Sequence, residues 1–190
     1  MGYENNPPRL IGGRLILDFL NTADWSVDGV VLDEKIQATT DLDIWMDALG
    51  LAGGAAKVSN AELGALRQFR TSVRKIFITC LNGGEAETDA LLELNQAARS
   101  ISKDLLRGDS SKGTVFGDSA PLREILAVSA IATLGESRDL ERIKLCPGHD
   151  CGWLFLDETK NGRRRWCTME TCGNRAKANR HYKMKTAGRN

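Results

Sequence analysis

The chain has 190 residues, of which 42% are hydrophobic and 27% are charged. This length is enough for one sizeable hydrophobic core, or for one domain with a small appendage. No apolar run is long enough to span a bilayer, no secretory signal opens the chain, and "MGYENN" lacks the Ser or Thr of a myristoylation signal. These features predict a soluble, cytoplasmic protein without a membrane partner.

The net charge of +1 conceals an asymmetry along the chain. Residues 141–190 contain 12 Lys and Arg against 5 Asp and Glu, whereas residues 1–140 contain 14 against 20. An acidic body with a basic end is typical of proteins that meet an anionic partner such as nucleic acid. The alternative is a solvated charged end without a partner.

The first half of the chain predicts two short elements and one long helix. "RLIGGRLILDFLNT" predicts either a hairpin turned at Gly12-Gly13 or a strand that leads into a helix, and "DLDIWMDALG" predicts a short helix that ends at Gly50. In "SNAELGALRQFRTSVRKIFITCLNGG", Ser59 and Glu62 form a capping-box pattern, and apolar residues recur at helical spacing up to Gly83-Gly84.

Two further helices are predicted, from about Thr88 to Ile101 and from Pro121 to Gly135. Between them, "ISKDLLRGDSSKGTVFGDS" predicts two short strands around a Gly/Ser-rich turn. The composition changes near residues 138–145, where we place a boundary between a body (residues 1–137) and a C-terminal unit (residues 138–190).

Four of the five cysteines form two Cys-x4-Cys pairs, Cys146 with Cys151 and Cys167 with Cys172, separated by fifteen residues. Two tight turns that each present two thiolates suit the tetrahedral geometry of zinc, and a reducing compartment favours metal ligation over disulfides. The segment between the pairs, "WLFLDETKNGRRRWC", predicts a hairpin turned at Asn161-Gly162, which would bring the two pairs together. The spacing therefore predicts one structural zinc ion held by four cysteines.

Other roles for these residues fit less well. A redox pair is usually Cys-x-x-Cys, and catalytic zinc keeps an open coordination position that four thiolates would close. His149 lies inside the first knuckle, the turn between Cys146 and Cys151, and is the alternative ligand. Cys80 falls on the apolar face of the long helix and is interpreted as a core residue instead of a nucleophile.

The segment "CPGHDCGWLFLDETKNGRRRWCTMETCGNRAKANRHYKMK" closely resembles the CGNR zinc finger, whose name is the tetrapeptide at residues 172–175. The N-terminal "LILDFLNT" resembles the entry motif of the ABATE domain, a helical domain usually found ahead of this finger. The resemblance implies zinc ligation by the same four cysteines, DNA binding through the finger, and a role in stress-induced transcription regulation.

The residues after Cys172 are predicted to form a helix whose basic side chains spread around the whole helical wheel. Such a helix cannot bury one face against the body, so we expect it to project into solvent and to order against a phosphate backbone. With the arginines of the predicted hairpin, the candidate nucleic-acid contacts are Arg163, Arg164, Arg165, Arg175, Lys177, Arg180, Lys183 and Lys185.

Other polar and aromatic residues of this unit have two interpretations each. Asn174 and Asn179 could bind adenine edges, but Asn also serves in caps and turns, which we favour. Trp153 and Trp166 are interpreted as the small core of a metal domain in preference to base-stacking platforms. Arg175 could pair with a guanine, or brace the finger against Asp157 or Glu158.

The body offers one candidate site, the polar side chains of Asp18, Asn21 and Thr22 in "LDFLNT". They either cap a helix and bind backbone, which we favour, or line a small-ligand pocket. No paired carboxylates, nucleophile with a base, or phosphate-binding loop stands out, so we expect no enzymatic activity.

The sequence thus predicts a mainly α protein. A multihelical N-terminal domain with a few short strands is followed by a small four-cysteine zinc finger, formed by a β-hairpin and a helix. We expect a DNA-binding transcription regulator whose body senses a small-molecule or stress signal or forms a homodimer. The alternatives are a zinc-stabilised module whose basic helix docks on an acidic protein, and an RNA-binding protein.

Overall fold

A computed structural model describes residues 2–26, 28–51, 57–103, 105–109, 113–117 and 120–187. The fold is mainly α, with a helical N-terminal part followed by a β-hairpin, a four-cysteine cluster and a helix, which confirms the predicted fold class. Within these ranges, no helix has both the length and the apolar character that a membrane span requires.

Most helices of the N-terminal part follow the predicted pattern, whereas the short helix at Ser137–Leu140 was not predicted. Their bounds are α1 Leu15–Leu20, α2 Thr39–Ala48, α3 Asn60–Leu81, α4 Thr88–Arg99, α5 Leu122–Gly135 and α6 Ser137–Leu140. The capping box that begins α3 is present, since the Ser59 hydroxyl accepts from the Glu62 N–H and the Glu62 carboxylate accepts from the Ser59 N–H. After α6, the basic helix α7 covers Asn174–Ala187 and follows a short π-helix at Met169–Gly173.

The described strands form three antiparallel pairs. β1 Ala23–Trp25 pairs with β2 Val31–Glu34, β3 Leu106–Asp109 with β4 Gly113–Phe116, and β5 Ile143–Leu145 with β6 Leu154–Leu156. The β3–β4 pair confirms the two strands predicted there, while residues 110–112 of its turn lie outside the described residues. At the N-terminus, α1 follows residues that form neither a strand nor a hairpin, so neither predicted alternative is complete.

The hydrophobic core lies around α3. Phe69, Val73 and Phe77 of this helix are fully buried and share one cluster with Leu17 and Leu20 of α1. Burying side chains of this size contributes roughly 1.5–3 kcal/mol each. The packing of α1 on α3 therefore fixes the segment that leads into β1.

The hairpin of the C-terminal unit lies earlier in the chain than predicted. β6 pairs with β5, which precedes the first cysteine pair, and no strand forms between Arg163 and Trp166. The turn at Asn161-Gly162 does exist, because Gly162 donates to the Thr159 carbonyl at 3.1 Å and has a positive φ of 60°. Residues 163–166, which we call the returning arm, are held by side chains instead of by strand pairing, as described below.

The strands of this hairpin belong to the core of the body. Ile143, Leu154 and Leu156 are at most 4% exposed and pack in the same cluster as the helices. The Asn21 amide is doubly bonded to the backbone of Leu154, at 2.8 and 2.9 Å. The proposed boundary between residues 137 and 138 therefore separates residues that share one core.

Candidate metal centre and basic surface

The four cysteines predicted to bind zinc form one buried cluster. Cys146 follows β5, Cys151 ends the first knuckle, Cys167 follows the returning arm, and Cys172 lies in the π-helix before α7. All four sulfur atoms lie within 4.8 Å of one another. The Sγ atoms of Cys151 and Cys167 are 3.6 Å apart, and those of Cys167 and Cys172 are 3.5 Å apart.

The first knuckle is shaped by a hydrogen bond and by two tight positions. The Cys146 N–H donates to the Trp153 carbonyl at 2.8 Å, which closes the turn. Asp150 has a positive φ of 52°. At Gly148 a Cβ would lie only 2.7 Å from the Cys172 sulfur, so only glycine lets the backbone pass this close to the fourth ligand.

The second knuckle, the turn between Cys167 and Cys172, places Cys172 at the start of the basic helix. The Thr168 hydroxyl accepts from the Thr171 N–H at 3.3 Å and caps the π-helical turn. α7 begins two residues after Cys172, as expected from the sequence. A metal bound here would fix the first turn of α7.

This donor set fits a zinc ion. Zinc–thiolate bonds of about 2.3 Å in a tetrahedron place sulfur atoms about 3.8 Å apart, close to the separations seen here. Without a cation, hydrogen bonds from Cys151 and Cys167 lower the pKa of Cys146, and the shared protons raise the pKa values of Cys151 and Cys167. Several thiolates this close need a cation to ionise together. The cluster is therefore a structural zinc site, and bound zinc would tie both knuckles together.

The positions of the other residues considered at the metal centre indicate their roles. His149 is exposed and pairs through Nδ1 with Asp150 at 2.6 Å, outside the sulfur cluster, so it does not replace a cysteine. Cys80 packs at the edge of the main core, as interpreted from its helical position. Trp153 and Trp166 pack with Phe155 and Ile11 against the cysteines, which agrees with the predicted small core.

Among the predicted nucleic-acid contacts, Arg164 differs from the others because its side chain binds within the finger. Its guanidinium stacks on the Phe155 ring at 4.4 Å, and it donates to the carbonyls of Trp166, Leu156 and Ile11 at 3.2–3.3 Å, as well as to that of Cys167. These bonds hold the returning arm to β6 and to the N-terminal segment. Four of its five N–H donors are thus engaged by backbone carbonyls, so the structure gives Arg164 a bracing role within the finger.

A second buried network supports the same arm. The side chain of Asp157 is fully buried and accepts from Lys144 Nζ at 2.6 Å, from Thr159 and from the Arg164 N–H at 2.8 Å. Burial alone would raise the pKa of Asp157, but these bonds together lower it below its usual range. The Lys144 ammonium also donates to the carbonyls of Gly162 and Arg164. Asp157 is therefore not a partner of Arg175, which was one alternative.

The other predicted contacts lie on the surface. Arg163 and Arg165 are exposed, with Arg165 stacked on Trp166 at 5.0 Å. Arg175, Lys177, Arg180, Lys183 and Lys185 are exposed along α7. Within the described part of the chain, Arg175 donates to the His149 carbonyl at 3.4 Å and makes no ion pair with Glu158, which instead pairs with Arg14. Asn174 donates to the Glu170 carbonyl at 3.4 Å, in line with a local backbone role.

The polar residues of α1 and its end bind backbone. Asp18 accepts from the Gly12 N–H at 2.7 Å, Asn21 holds Leu154, and Thr22 donates to the Phe19 carbonyl at 2.7 Å. All three are buried. These contacts correspond to the backbone-binding alternative, and the polar groups of the suggested ligand pocket are engaged within the protein.

Two buried arginines on α3 were not predicted from the sequence. Arg70 is 1% exposed and pairs with Glu34 of β2, while Arg74 is 4% exposed. Both lie at helical spacing among the apolar residues that face the core: Arg70 is four residues after Leu66, and Arg74 is three residues before Phe77. A charged residue on such a stripe is the signal that could have identified them.

Comparisons with known families agree with the two parts of the chain. A family model described as "Putative stress-induced transcription regulator", ABATE, matches residues 13–137. The CGNR zinc finger model matches residues 142–185, which contain all four clustered cysteines. Comparison with curated proteins finds no match. Because the first model covers more than half of the chain, the protein belongs to the ABATE family and carries a CGNR zinc finger after that domain.

Proposed function

We propose that the protein is a DNA-binding transcription regulator in which the zinc finger presents α7 to duplex DNA. The observation that carries this proposal is the surface of α7. From Asn174 to Lys185 only Ala176 is partly covered, five side chains are basic, and residues 171–190 contain no Asp or Glu. A helix with this charge and exposure suits a polyanionic partner.

Duplex DNA fits the helix in size as well as in charge. The 14 residues of α7 span about 21 Å at 1.5 Å per residue, and the major groove of B-DNA admits one α-helix. Such a polar helix gains little from packing and is marginal by itself. Its first turn is tied to the metal centre, which lowers the cost of ordering it on DNA. Arg163 and Arg165 add positive charge beside the second knuckle.

The ABATE body is the regulatory half in this proposal. It contains most of the core and carries the acidic excess of the chain. We place the division of labour at residues 137/138, with signal sensing or homodimerisation before it and nucleic-acid contact after it. Acidic surface on the body would also keep it away from phosphates.

The test uses the intact, zinc-loaded chain and a pool of random duplexes, from which bound sequences are selected and titrated. The triple variant K177A/R180A/K185A should weaken binding at least tenfold. The control K57A/R99A/K103A removes the same charge from exposed positions of the body and should change affinity less than twofold. Absence of duplex binding, or equal losses in both variants, would overturn the proposal.

The same titration tests the alternatives. Tighter binding to single-stranded RNA than to any duplex would favour an RNA partner. Binding to an acidic polypeptide, with no affinity for either nucleic acid, would favour a protein-interaction module. In both cases the α7 variant should still lose affinity, so that the identity of the partner is separated from the role of the helix.

A further inference from the structure

The buried guanidinium of Arg74 lies next to Gly152, the residue after the metal-centre cysteine Cys151, and has no carboxylate partner among the described residues. Arg74 is 4% exposed, and its Nε and Nη1 atoms are buried without a hydrogen-bond partner. No ion pair joins it to an Asp or Glu of the described residues. A buried charge is normally paired, because its desolvation is costly. This arginine therefore needs a different source of compensation.

Part of the compensation comes from an aromatic ring. The guanidinium lies 4.6 Å from the centre of the Trp25 ring, which is itself 1% exposed. Arg70 stacks on the same ring at 5.5 Å, but it also pairs with Glu34. A cation–π contact is weaker than an ion pair with a full negative charge. Trp25 thus leaves most of the Arg74 charge uncompensated.

The end of the first knuckle lies close to both Trp25 and the Arg74 guanidinium. The Trp25 N–H donates to the Cys151 carbonyl at 3.3 Å, and a Cβ on Gly152 would lie 3.3 Å from Arg74 Nη2. A glycine at position 152, with φ of 60°, lets the knuckle approach this closely. Burial lowers the pKa of Arg74 to about 10, which leaves it charged at neutral pH, and a negative charge on Cys151 raises the pKa.

Four thiolates around one Zn²⁺ carry a net charge of about −2. We propose that Arg74 is the counter-charge of this centre, supplied by the long helix of the body to the zinc finger. The positive charge neutralises part of the tetrathiolate inside the protein, so body and finger each stabilise a buried charge of the other. This inference concerns the metal site and does not depend on DNA binding.

The first test compares zinc affinities by competition with a chromogenic chelator. R74M keeps an unbranched side chain but removes the charge, and it should lower zinc affinity about ten- to hundredfold, as loss of groups that support metal ligands does. R74K keeps the charge and should lose much less. K75M is the matched control, since Lys75 follows on the same helix and is exposed; it should bind zinc like the parent protein.

Comparing the zinc affinities of R74M and R74K distinguishes an effect of the Arg74 charge from an effect of its packing. If Arg74 only fills space beside Trp25, the apolar R74M should bind zinc as well as R74K or better, and this result would overturn the proposal. Thermal unfolding in excess chelator adds an independent readout. There the order should reverse, with R74M at least as stable as R74K, because without zinc the cluster no longer holds four thiolates and the buried charge loses most of the negative charge that it neutralises.

A folding defect would not leave the question open. Should R74M fail to fold, the neutral and polar R74Q takes its place in the comparison with R74K, with the same expected order. If all three variants fail to fold at saturating zinc while K75M folds, Arg74 is a requirement of the body core, and its assignment as the counter-charge is wrong.

Discussion

Arg163, Arg164 and Arg165 are adjacent and identical in type, yet they have different environments. The middle residue is half-buried and binds four backbone carbonyls, whereas its neighbours are exposed. The planar guanidinium makes this possible, since it carries five donors in a fixed arrangement and one aromatic-binding face. Arg164 therefore replaces the strand pairing that the returning arm lacks.

Loss of this group should destabilise the finger. We expect R164A to lower the unfolding free energy of the zinc-loaded protein by about 2–4 kcal/mol, because several buried carbonyls lose their donor. R163A, which removes an exposed arginine one residue away, should cost less than about 0.5 kcal/mol. Denaturant unfolding of both variants measures the difference. Equal stabilities would show that Arg164 is not structural.

Asp18 makes stability depend on pH. Burial raises its pKa to about 6, although N–H groups of Gly12 and Ile11 oppose the shift. Because the pKa in the folded state exceeds the unfolded value of about 3.9, the neutral form stabilises the fold at low pH, and this contribution is lost as pH rises through about 6. Ionised Asp18 should thus cost about 3 kcal/mol at pH 7.5, because the two pKa values differ by roughly two units and each unit is worth about 1.4 kcal/mol.

The variant D18N removes this ionisation while keeping an oxygen acceptor for Gly12. Its stability relative to the parent protein should fall by about 1 kcal/mol between pH 7.5 and pH 5. The control is D43N, at an exposed position, and its stability relative to the parent protein should not change between these pH values. Denaturant titrations at three pH values with saturating zinc provide the measurement. A flat difference for D18N as well would mean that Asp18 has an ordinary pKa.

Among the helices and strands, the sequence predicted those whose formation depends on residues close together in the chain. The Ser59–Glu62 capping box and the apolar spacing of α3 specify a helix, and the cysteine spacing specifies a metal cluster. Pairing of β6 was missed because Asn161-Gly162 signals only a reversal of the chain. Its true partner, β5, is selected by the burial of Ile143 and by Lys144 bonding Asp157, contacts between distant residues that no local pattern contains.

The basic residues of α7 predict how strongly the affinity for DNA depends on salt concentration. If about four of the exposed basic residues meet phosphates, the slope of log affinity against log salt should be roughly −3.5 for duplex DNA. K177A/K185A should make the slope shallower by about 1.8 and weaken binding to all sequences alike, provided that both lysines meet phosphate. Titrations at several salt concentrations measure the slopes. An unchanged slope would show that these lysines do not contact DNA phosphates.

At the scale of the whole molecule, the two matched families do not correspond to two separate cores. The ABATE match ends at residue 137, but the hairpin of the finger completes the core of that domain through Ile143, Leu154 and Leu156. Composition and charge mark where the sequence changes character, not where packing ends. The charge division could therefore be predicted from the sequence, whereas the shared core could not.

Zinc removal should consequently affect the entire protein. The first knuckle connects β5 to β6, so releasing its metal frees the ends of two strands that are buried against α1 and α3. If finger and body were independent, C167S would unfold the finger and leave the body largely intact. The shared core predicts instead that helical signal and zinc are lost in one transition, at a midpoint well below that of the zinc-loaded protein.

The measurement is thermal unfolding by circular dichroism, with zinc release followed by a dye in the same sample. C80S is the matched control, because it removes the one cysteine outside the cluster and should retain about one zinc per chain. For C167S, each aliphatic side chain of the hairpin that leaves the core removes about 1.5–3 kcal/mol. A body that keeps its helical signal up to the parent midpoint after zinc is lost would instead show that finger and body fold independently.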